Sequence, residues 1–488
     1  MVAAETLAGI AGVALFAAPG AGLAELLPAV RSFPTGRRLA YAYLLGVAWT
    51  AGVLYALSHF LGAPLRTPAI LATAAAPAVA GAVSWLRRRR LKPRLPQRAR
   101  RRPWEWLVVA ICAVISLAVL CEALTNPVLD WDGWMTWAAQ ARYVRHEGTV
   151  DPTVLTQKGW YVSHPWYPLL LPVAQVAVLE TTHADWDDPA FRPFYAAFFP
   201  VWLLVIYGGA RALAGRTAAG WATLAAALLP ITAFELAGGA VSAYSDLPLA
   251  CFYGGGLALL LSPRLRLSAG LAAGILLAAA SLTKAEGALL APAALVCGGL
   301  YAFVPLGSQS KWRRRWRLRR GPLAFAALPL VLALALLFSW RAGIPERFES
   351  YEKIVSWAYL WPGILTRAPR IARWIRSQMV HTNAWGFFWW TAPLVLAAGW
   401  RGLRRRATIP LLLAAAAPLG VAWISYTISL TPEFIIWTSL NRFLIQASVP
   451  CLLLLALALA NLLRAADAIF RRLGRRARFQ TPRRCTPA

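Results

Sequence analysis

Apolar stretches about as long as a bilayer is thick recur along the whole of this 488-residue chain. A transmembrane helix needs roughly 20 apolar residues, and the sequence divides into about thirteen such runs, separated by short polar or Pro- and Gly-containing segments. Hydrophobic residues make up 59% of the chain and charged residues only 14%, which excludes a soluble enzyme. The sequence therefore predicts an all-α, polytopic membrane protein of about thirteen transmembrane helices.

The basic residues predict the topology. The chain has 50 Lys and Arg against 20 Asp and Glu, a net charge of +30. Much of this excess lies in four clusters, at residues 87–102, 311–320, 401–406 and 464–488. Cytoplasmic loops retain Lys and Arg. All four clusters fall on one side if the N-terminus is outside, three spans precede Arg87, and residues 126–192 stay outside without crossing. We therefore expect a multi-pass protein of the inner (cytoplasmic) membrane, with its C-terminus in the cytoplasm and no nucleic-acid partner.

Three regions follow from this topology. Residues 1–103 form an N-terminal extension of three spans and a basic cytoplasmic loop, residues 104–463 form the main transmembrane domain, and residues 464–488 form a basic cytoplasmic tail. Within the main domain, residues 125–192 form a large outer loop that is rich in acidic side chains and contains juxtamembrane helices.

Two segments of the outer loop are apolar without being expected to span. Residues 164–179 contain three prolines, so we expect a juxtamembrane or re-entrant helix on the outer face. Residues 134–145 place Trp134, Trp137 and Ala141 on one helical face, which predicts a helix that lies on the membrane.

A second outer loop, residues 341–384, conflicts with the charge rule. It contains four arginines at helical spacing, Arg367, Arg370, Arg373 and Arg376. The length of the loop weakens the rule but does not remove the conflict.

Ten ionisable side chains gather at the predicted outer ends of the spans or in the outer loops. The set comprises Glu122, Asp130, Asp132, His164, Glu235, Asp246, Lys284, Glu286, Glu433 and Arg442. Transporters and proton relays place such groups near the middle of the membrane. The distribution instead indicates a site at the outer membrane boundary, where a lipid substrate and an aqueous substrate could meet.

The acid motif of the first outer loop runs from Asp130 to Trp137. Two carboxylates, Asp130 and Asp132, lie two residues apart beside Trp131 and Trp134. Such a pair is suited to general-base catalysis on a hydroxyl, or to binding a cation or sugar hydroxyls. An acidic, Trp-anchored interfacial turn would explain the same residues.

Two further motifs each have a functional and a structural interpretation. His164 precedes the run Pro165 to Pro172, which includes Tyr167, and it could line an acceptor entrance or simply cap a turn. Asp246 opens a span after Tyr244 and Ser245, and it could shape a pocket or only favour a helix N-terminus.

Two cations are candidates for binding a phosphate. Lys284 and Glu286 lie in a tight turn between two apolar runs and could neutralise each other, but a cation at headgroup depth also suits a lipid phosphate or diphosphate. Arg442, in the final span, could likewise bind phosphate or extend its charge to the membrane surface. No P-loop, dinucleotide glycine motif or HExxH zinc helix is present in the sequence.

The order of these motifs resembles the GT-C superfamily of integral-membrane glycosyltransferases. The resemblance covers about residues 104–463. The superfamily includes protein O-mannosyltransferases and lipid A aminoarabinose transferases, and the chain is most similar to bacterial relatives with a domain like those acting on rhizobial lipopolysaccharide. The resemblance is carried by Trp131 to Trp134, Tyr167 to Pro172, Tyr244 to Ala250, Thr283 to Gly287, and Arg442 with Pro450. Members of the superfamily often have an adjacent acidic pair in the first outer loop, whereas this chain has Asp132-Gly133.

The resemblance implies a glycosyltransferase of the cell envelope that acts in lipopolysaccharide or glycoprotein glycosylation. A hexosyl or pentosyl group would pass, with inversion, from a polyprenyl-phosphate-linked donor to a glycan, lipid or protein acceptor. The base would be Asp132 first and Asp130 second. Lys284 and Arg442 would bind the lipid phosphate, and Glu286, Asp246, His164, Tyr167 and Trp134 would complete the substrate site. No cofactor is expected, and a divalent metal is possible but not indicated.

Two other functions fit the topology. A flippase or transporter of a lipid-linked saccharide would explain the many spans, but we find neither ionisable groups at mid-depth nor internal repeats with interrupted helices in the sequence. A non-catalytic scaffold with a GT-C-like architecture is the third possibility, and Gly133 in place of a second acid keeps it open.

Overall fold

The computed structural model describes residues 2–89, 103–156, 164–184, 188–234, 238–263, 265–304, 310–344, 357–380, 382–429 and 432–479. Within these ranges the regular secondary structure is helical, which confirms the predicted all-α class. The helices before the first outer loop are α1 (Val2–Leu26), α2 (Pro28–Arg31), α3 (Thr35–Leu61), α4 (Thr67–Arg89) and α5 (Pro103–Thr125).

The outer loop and the middle of the chain form shorter helices. They comprise a π-helical turn (Gly133–Ala138), α6 (Ala139–Glu147), a 3-10 turn (Pro152–Thr156), α7 (Leu170–Thr182), α8 (Asp188–Ala196), α9 (Phe198–Ala214), α10 (Arg216–Ala227) and α11 (Pro230–Ala233).

The last part of the chain contains the longest helices. They are α12 (Asp246–Leu260), α13 (Leu267–Thr283), α14 (Gly287–Phe303), α15 (Ser310–Ala342), α16 (Trp357–Met379), α17 (Thr382–Trp385), α18 (Phe388–Ala398), a 3-10 turn (Trp400–Leu403), α19 (Thr408–Ile428) and α20 (Pro432–Phe479).

Eight helical segments in the described residues are long and apolar enough to cross a membrane. They lie in α1, α3, α4, α5, α8 with α9, α15, α19 and α20, and five shorter apolar helices accompany them. The protein is therefore a polytopic, all-α membrane protein. The total of about thirteen spans stays a prediction, because it requires most of the shorter helices to cross as well.

The three N-terminal helices pack closely through small residues. A Cβ atom on Gly20 of α1 would lie 1.7 Å from the carbonyl oxygen of Ala42 in α3, and a Cβ on Gly22 would lie 2.0 Å from that of Pro77 in α4. In lipid the hydrophobic effect does not drive helices together, so van der Waals packing at such close approach stabilises their association. Helices α1 and α3 also contact α7, so the extension packs against the rest of the bundle.

The end of the bundle predicted to be cytoplasmic is held by ion pairs. Arg38 and Arg88 both pair with Glu25, which joins α1, α3 and α4. Arg216 pairs with Glu105, which joins α10 to α5. Each of these ion pairs joins elements that the charge pattern assigns to the same side, and the orientation itself stays a prediction.

Two predictions about the outer loop have different outcomes. The proline-rich segment ends in α7, whose residues 170–179 are buried in the bundle. Its assignment as a juxtamembrane or re-entrant helix on the outer face stays a prediction. The prediction that residues 134–145 lie on the membrane is wrong, because Trp137 and Ala141 are fully buried in the protein. An apolar helical face looks the same in sequence whether lipid or protein covers it.

Candidate functional site

Asp246 is the centre of the site. It is the first residue of α12 and its side chain is completely buried. One carboxylate oxygen, Oδ1, accepts hydrogen bonds from Lys284 Nζ and Gln446 Nε2, both at 2.8 Å. The other, Oδ2, accepts from Arg442 Nε at 2.9 Å. Asp246 therefore does not cap its own helix but binds side chains of α20 and of the turn after α13.

Arg442 connects this buried carboxylate to the outer loop. While its Nε binds Asp246, its Nη1 donates to Asp132 Oδ2. The side chain of Arg442 is 9% exposed, that of Asp132 is 19% exposed, and that of Asp246 is 0% exposed. The guanidinium thus bridges a fully buried carboxylate and a partly exposed one, which suits a planar group with several fixed donors.

Lys284 is held more deeply than the sequence analysis expected. Its side chain is 2% exposed, and its ammonium lies 2.8 Å from Asp246 Oδ1 and 3.2 Å from Glu286 Oε1. Gly287 keeps the turn tight, because a Cβ there would lie 1.9 Å from the carbonyl oxygen of Ala280. Lys284 therefore pairs with Glu286, as its structural interpretation requires. It also pairs with Asp246, which connects Glu286 to the site around Asp246.

The acid motif contacts the segment before α12 at Gly133. A Cβ on Gly133 would lie 2.3 Å from the carbonyl oxygen of Ser242 and 2.8 Å from Val128 Cγ1. A side chain at this position would push the loop away from that segment. Gly133 is therefore the residue that lets Asp132 approach Arg442, and the π-helical turn starts at the same point.

Tyr244 fixes the backbone of Asp132. Its hydroxyl accepts a hydrogen bond from the N–H of Asp132 at 3.1 Å, and the guanidinium carbon of Arg442 lies 4.8 Å from its ring centroid. Burial raises the pKa of Tyr244, and the charges of Asp132 and Asp130 raise it further. The phenol therefore stays protonated.

Asp130 lies beside the network. Its carboxylate is close enough to affect Tyr244 electrostatically, and its backbone carbonyl accepts from the N–H of Trp134 at 3.0 Å. Glu235, which the topology also placed at the outer end, lies outside the described residues.

Two of the remaining predicted residues, His164 and Tyr167, form an aromatic wall together with Trp137. His164 and Trp137 both stack on Tyr167, with ring centroids 4.8 Å and 5.4 Å from that of Tyr167. His164 adopts a left-handed backbone conformation with φ of 59°, and its carbonyl accepts from Gln140 Nε2 at 3.0 Å. Trp134 is 43% exposed, so it is available to a ligand or to lipid.

Three residues that the sequence analysis did not select contribute to the site. Gln446 lies one turn after Arg442 on the same face of α20, so its spacing was a usable signal. Arg192 is 2% exposed and donates from Nη2 to the carbonyl of Val241 at 2.7 Å, and Nη1 donates to the carbonyl of Asn126. Arg192 thereby holds Asn126, near the start of the first outer loop, against Val241 in the segment before α12.

Arg341, at the end of α15, is the third. Its Nε donates to the carbonyl of Trp166 at 3.1 Å, and its charge interacts with Tyr167 and Glu286. It brings a further cation to the aromatic wall.

The arrangement combines three carboxylates and two cations in one connected network of ion pairs. Its inner part is buried, while Asp132 at its edge is partly exposed. A buried network of this kind can hold a charged group in a defined position, and the exposed carboxylate can accept a proton. Among the described residues, no group of three His, Cys, Asp or Glu side chains is arranged to hold a metal ion.

Neither a family model nor a curated protein matches this chain. The chain is similar to solved structures of archaeal oligosaccharyltransferases. The crystal structure of the Archaeoglobus fulgidus oligosaccharyltransferase with Zn and sulfate has 16% identity and a TM-score of 0.43, and the match covers 76% of this chain and 50% of that one. For the apo form of the same oligosaccharyltransferase the identity is 15%, the TM-score 0.44, and the coverage 75% and 52%.

A third match is the A. fulgidus oligosaccharyltransferase AglB in complex with an inhibitory peptide and a dolichol-phosphate. Its identity is 16% and its TM-score 0.43, with 79% of this chain and 52% of that chain covered. This chain therefore spans about half the length of the proteins that it matches. A likeness of this degree leaves the reaction to be argued from the chain's own side chains.

Proposed function

We propose that the protein is a membrane glycosyltransferase that takes a sugar from a polyprenyl-phosphate-linked donor at the outer face of the cytoplasmic membrane. The observation that carries the proposal is the position of Arg442 between Asp132 and Asp246. A cation and a water-accessible carboxylate in contact are the two groups that such a transfer needs, one for the leaving phosphate and one for the acceptor proton.

In the proposed reaction the donor phosphate competes with Asp132 for the guanidinium of Arg442. Nε of Arg442 stays on Asp246, while its Nη groups turn from the Asp132 carboxylate to the phosphate. Asp132 is thereby released to accept the proton of the acceptor hydroxyl or amine. The acceptor atom attacks the anomeric carbon, the bond from that carbon to the phosphate oxygen breaks, and the electron pair leaves with the phosphate.

This step requires inversion at the anomeric carbon, because a single displacement occurs on the face opposite to the phosphate. It leaves a protonated Asp132 and a free polyprenyl phosphate on Arg442. Charge developing on the phosphate is stabilised by a guanidinium that is already oriented, so little reorganisation is needed during the reaction.

Asp132 is preferred over Asp130 as the base because it is the carboxylate in contact with Arg442. Lys284 and Glu286 act in this proposal through Asp246, whose position they fix, and Lys284 adds positive charge behind the phosphate. His164, Tyr167 and Trp134 would contact the sugar or the acceptor with their rings, as aromatic side chains commonly do.

The orientation with the N-terminus outside and the C-terminus in the cytoplasm belongs to the same proposal, as does the division at residues 103 and 463. A glycan, lipid or protein could each serve as the acceptor, because the network specifies a nucleophile with a removable proton and not its carrier.

The test is sugar transfer by the full chain in lipid nanodiscs. Polyprenyl-phosphate-linked hexoses and pentoses are supplied with mixed acceptors, and release of polyprenyl phosphate is measured against the Asp132→Asn variant. The proposal predicts release by the wild type and at least about a 100-fold loss in the variant. Transbilayer movement of an intact donor in proteoliposomes, without release of polyprenyl phosphate from any donor, would instead identify a flippase.

A further inference from the structure

The four arginines of the second outer loop lie on α16, and the glycosyltransferase proposal does not use them. They divide into two pairs. Arg367 Nη1 donates to the carbonyls of Thr427 and Ser429, at 2.9 Å and 2.6 Å, and Arg370 pairs with Glu433. These two arginines attach α16 to the end of α19 and the start of α20.

The second pair, Arg373 and Arg376, does not attach α16 to a described helix. Arg373 and Arg376 are exposed and have neither a hydrogen bond nor an ion pair with any described residue. Being three residues apart on a helix, they point to the same side of α16. Ile371 lies on the opposite side, 1% exposed, and packs into the bundle. The exposed side of α16 is therefore a face with two positive charges that no described residue pairs.

The position of this face relative to the membrane follows from α20. Helix α16 runs beside the first turns of α20 in the same direction, because Arg370 contacts Glu433 and, eight residues later, Gln378 contacts Asn441. A hydrocarbon layer of about 30 Å takes about 20 helical residues. Counted back from Arg464, the first basic residue after the apolar part of α20, this distance ends near Leu444.

Asn441 and the neighbouring end of α16 therefore lie just beyond the hydrocarbon, at the depth of the lipid headgroups. Exposed Trp437, 64% accessible and one turn before Asn441 on α20, lies at the same end of the bundle. Tryptophan prefers this interfacial layer, so its exposure supports the same depth.

We propose that Arg373 and Arg376 form a binding surface for anionic phospholipid headgroups of the outer leaflet. The argument is charge complementarity at a defined depth, since the phosphates of anionic lipids occupy the layer in which the two guanidinium groups lie. Because Gln378 binds Asn441 and Arg442 follows it, a lipid bound here lies beside the candidate active site. The surface also accounts for arginines on the outer side, where the charge rule disfavours them.

The experiment is native mass spectrometry of the full chain in a neutral detergent, titrated with phosphatidylglycerol or phosphatidylcholine. We expect the wild type to bind phosphatidylglycerol more tightly, and the Arg373→Gln/Arg376→Gln variant to lose about 30-fold in affinity for the tightest site. The charge-preserving Arg373→Lys/Arg376→Lys variant should keep most of the affinity, and added salt should weaken binding in the wild type.

The matched control is Arg464→Gln/Arg471→Gln, which removes two exposed charges at the other end of α20. It should leave the tightest site unchanged. An equal loss in this control, or equal binding of the two lipids by the wild type, would overturn the proposal.

Two further outcomes would also overturn it. One is that inorganic polyphosphate, and not phosphatidylglycerol, binds in a manner that depends on Arg373 and Arg376. The other is that the two substitutions dissociate a dimer of the lipid-free protein, which would make this face a contact between copies. The measurement needs no sugar donor, so its result is independent of the proposed enzymatic activity.

Discussion

Replacing Arg442 by Gln removes the residue that links the outer carboxylate to the buried one. The variant loses two charge-assisted hydrogen bonds, one to Asp246 and one to Asp132. At about 1.5–3 kcal/mol each, and with a buried carboxylate left partly uncompensated, we expect a destabilisation of about 3–5 kcal/mol. Lys284 and Gln446 still bind Asp246, so the variant should fold at low temperature.

Activity should fall further than stability. Without a guanidinium at the leaving phosphate, the rate of polyprenyl phosphate release should drop by about 100- to 1000-fold at a temperature where the protein stays folded. Thermal unfolding in detergent and single-turnover release by the same sample measure the two effects separately.

The double variant Arg442→Gln/Asp132→Asn separates structure from catalysis. It removes one positive and one negative charge, so part of the lost stability should return while transfer stays absent. A variant Arg442→Gln that unfolds at the wild-type temperature and transfers sugar at the wild-type rate would refute the role of Arg442 in both respects.

The remaining predictions concern residues that position the network. Gly133→Ala should destabilise the protein by about 1–3 kcal/mol and slow transfer, because the added Cβ meets the carbonyl of Ser242; wild-type thermal stability would contradict the close packing. Tyr244→Phe should slow transfer by about 2- to 10-fold, since the N–H of Asp132 loses its acceptor. Because the pKa of Tyr244 is raised, its ionisation should destabilise the fold only above about pH 10, and a pH-dependent loss of stability below pH 10 that disappears in the variant would contradict this. Lys284→Met should lower stability by about 3 kcal/mol. A loss of donor affinity at unchanged stability would instead make Lys284 a direct ligand.

The sequence predicted the fold class and selected side chains that the structure links by ion pairs, because both depend on local features. Apolar length defines a helix that can span, and the cost of a charge in hydrocarbon drives Asp246, Lys284 and Arg442 towards the ends of spans. These properties can be recognised without knowing which helices are neighbours.

The pairing of those groups could not be predicted. Arg442 and Asp246 are 196 residues apart in the chain, and Arg442 and Asp132 are 310 apart. Their contacts depend on how α12 and α20 pack, which is determined by side chains far from the motifs. The same limit applies to Trp137, whose apolar face was assigned to lipid although protein covers it.

Gly133 stands where related sequences often have a second acidic residue, and the structure explains the glycine. In sequence it is a missing second acid, which favours a non-catalytic scaffold. In the structure there is no room for a side chain, because the segment before α12 lies against this residue. The neighbouring backbone therefore explains the glycine, and a glycine at this position is compatible with a catalytic Asp132.

The central claim is that Asp132 accepts the acceptor's proton while Arg442 binds the donor phosphate. The most direct measurement compares single-turnover release of polyprenyl phosphate by the wild type, Asp132→Asn and Asp130→Asn, with donor affinity measured on the same nanodisc samples. We predict that Asp132→Asn binds the donor at least as tightly as the wild type, because Arg442 loses a competing carboxylate, yet releases polyprenyl phosphate at least about 100-fold more slowly. Asp130→Asn should retain most of the rate. Wild-type release by Asp132→Asn, with donor binding intact, would contradict the claim.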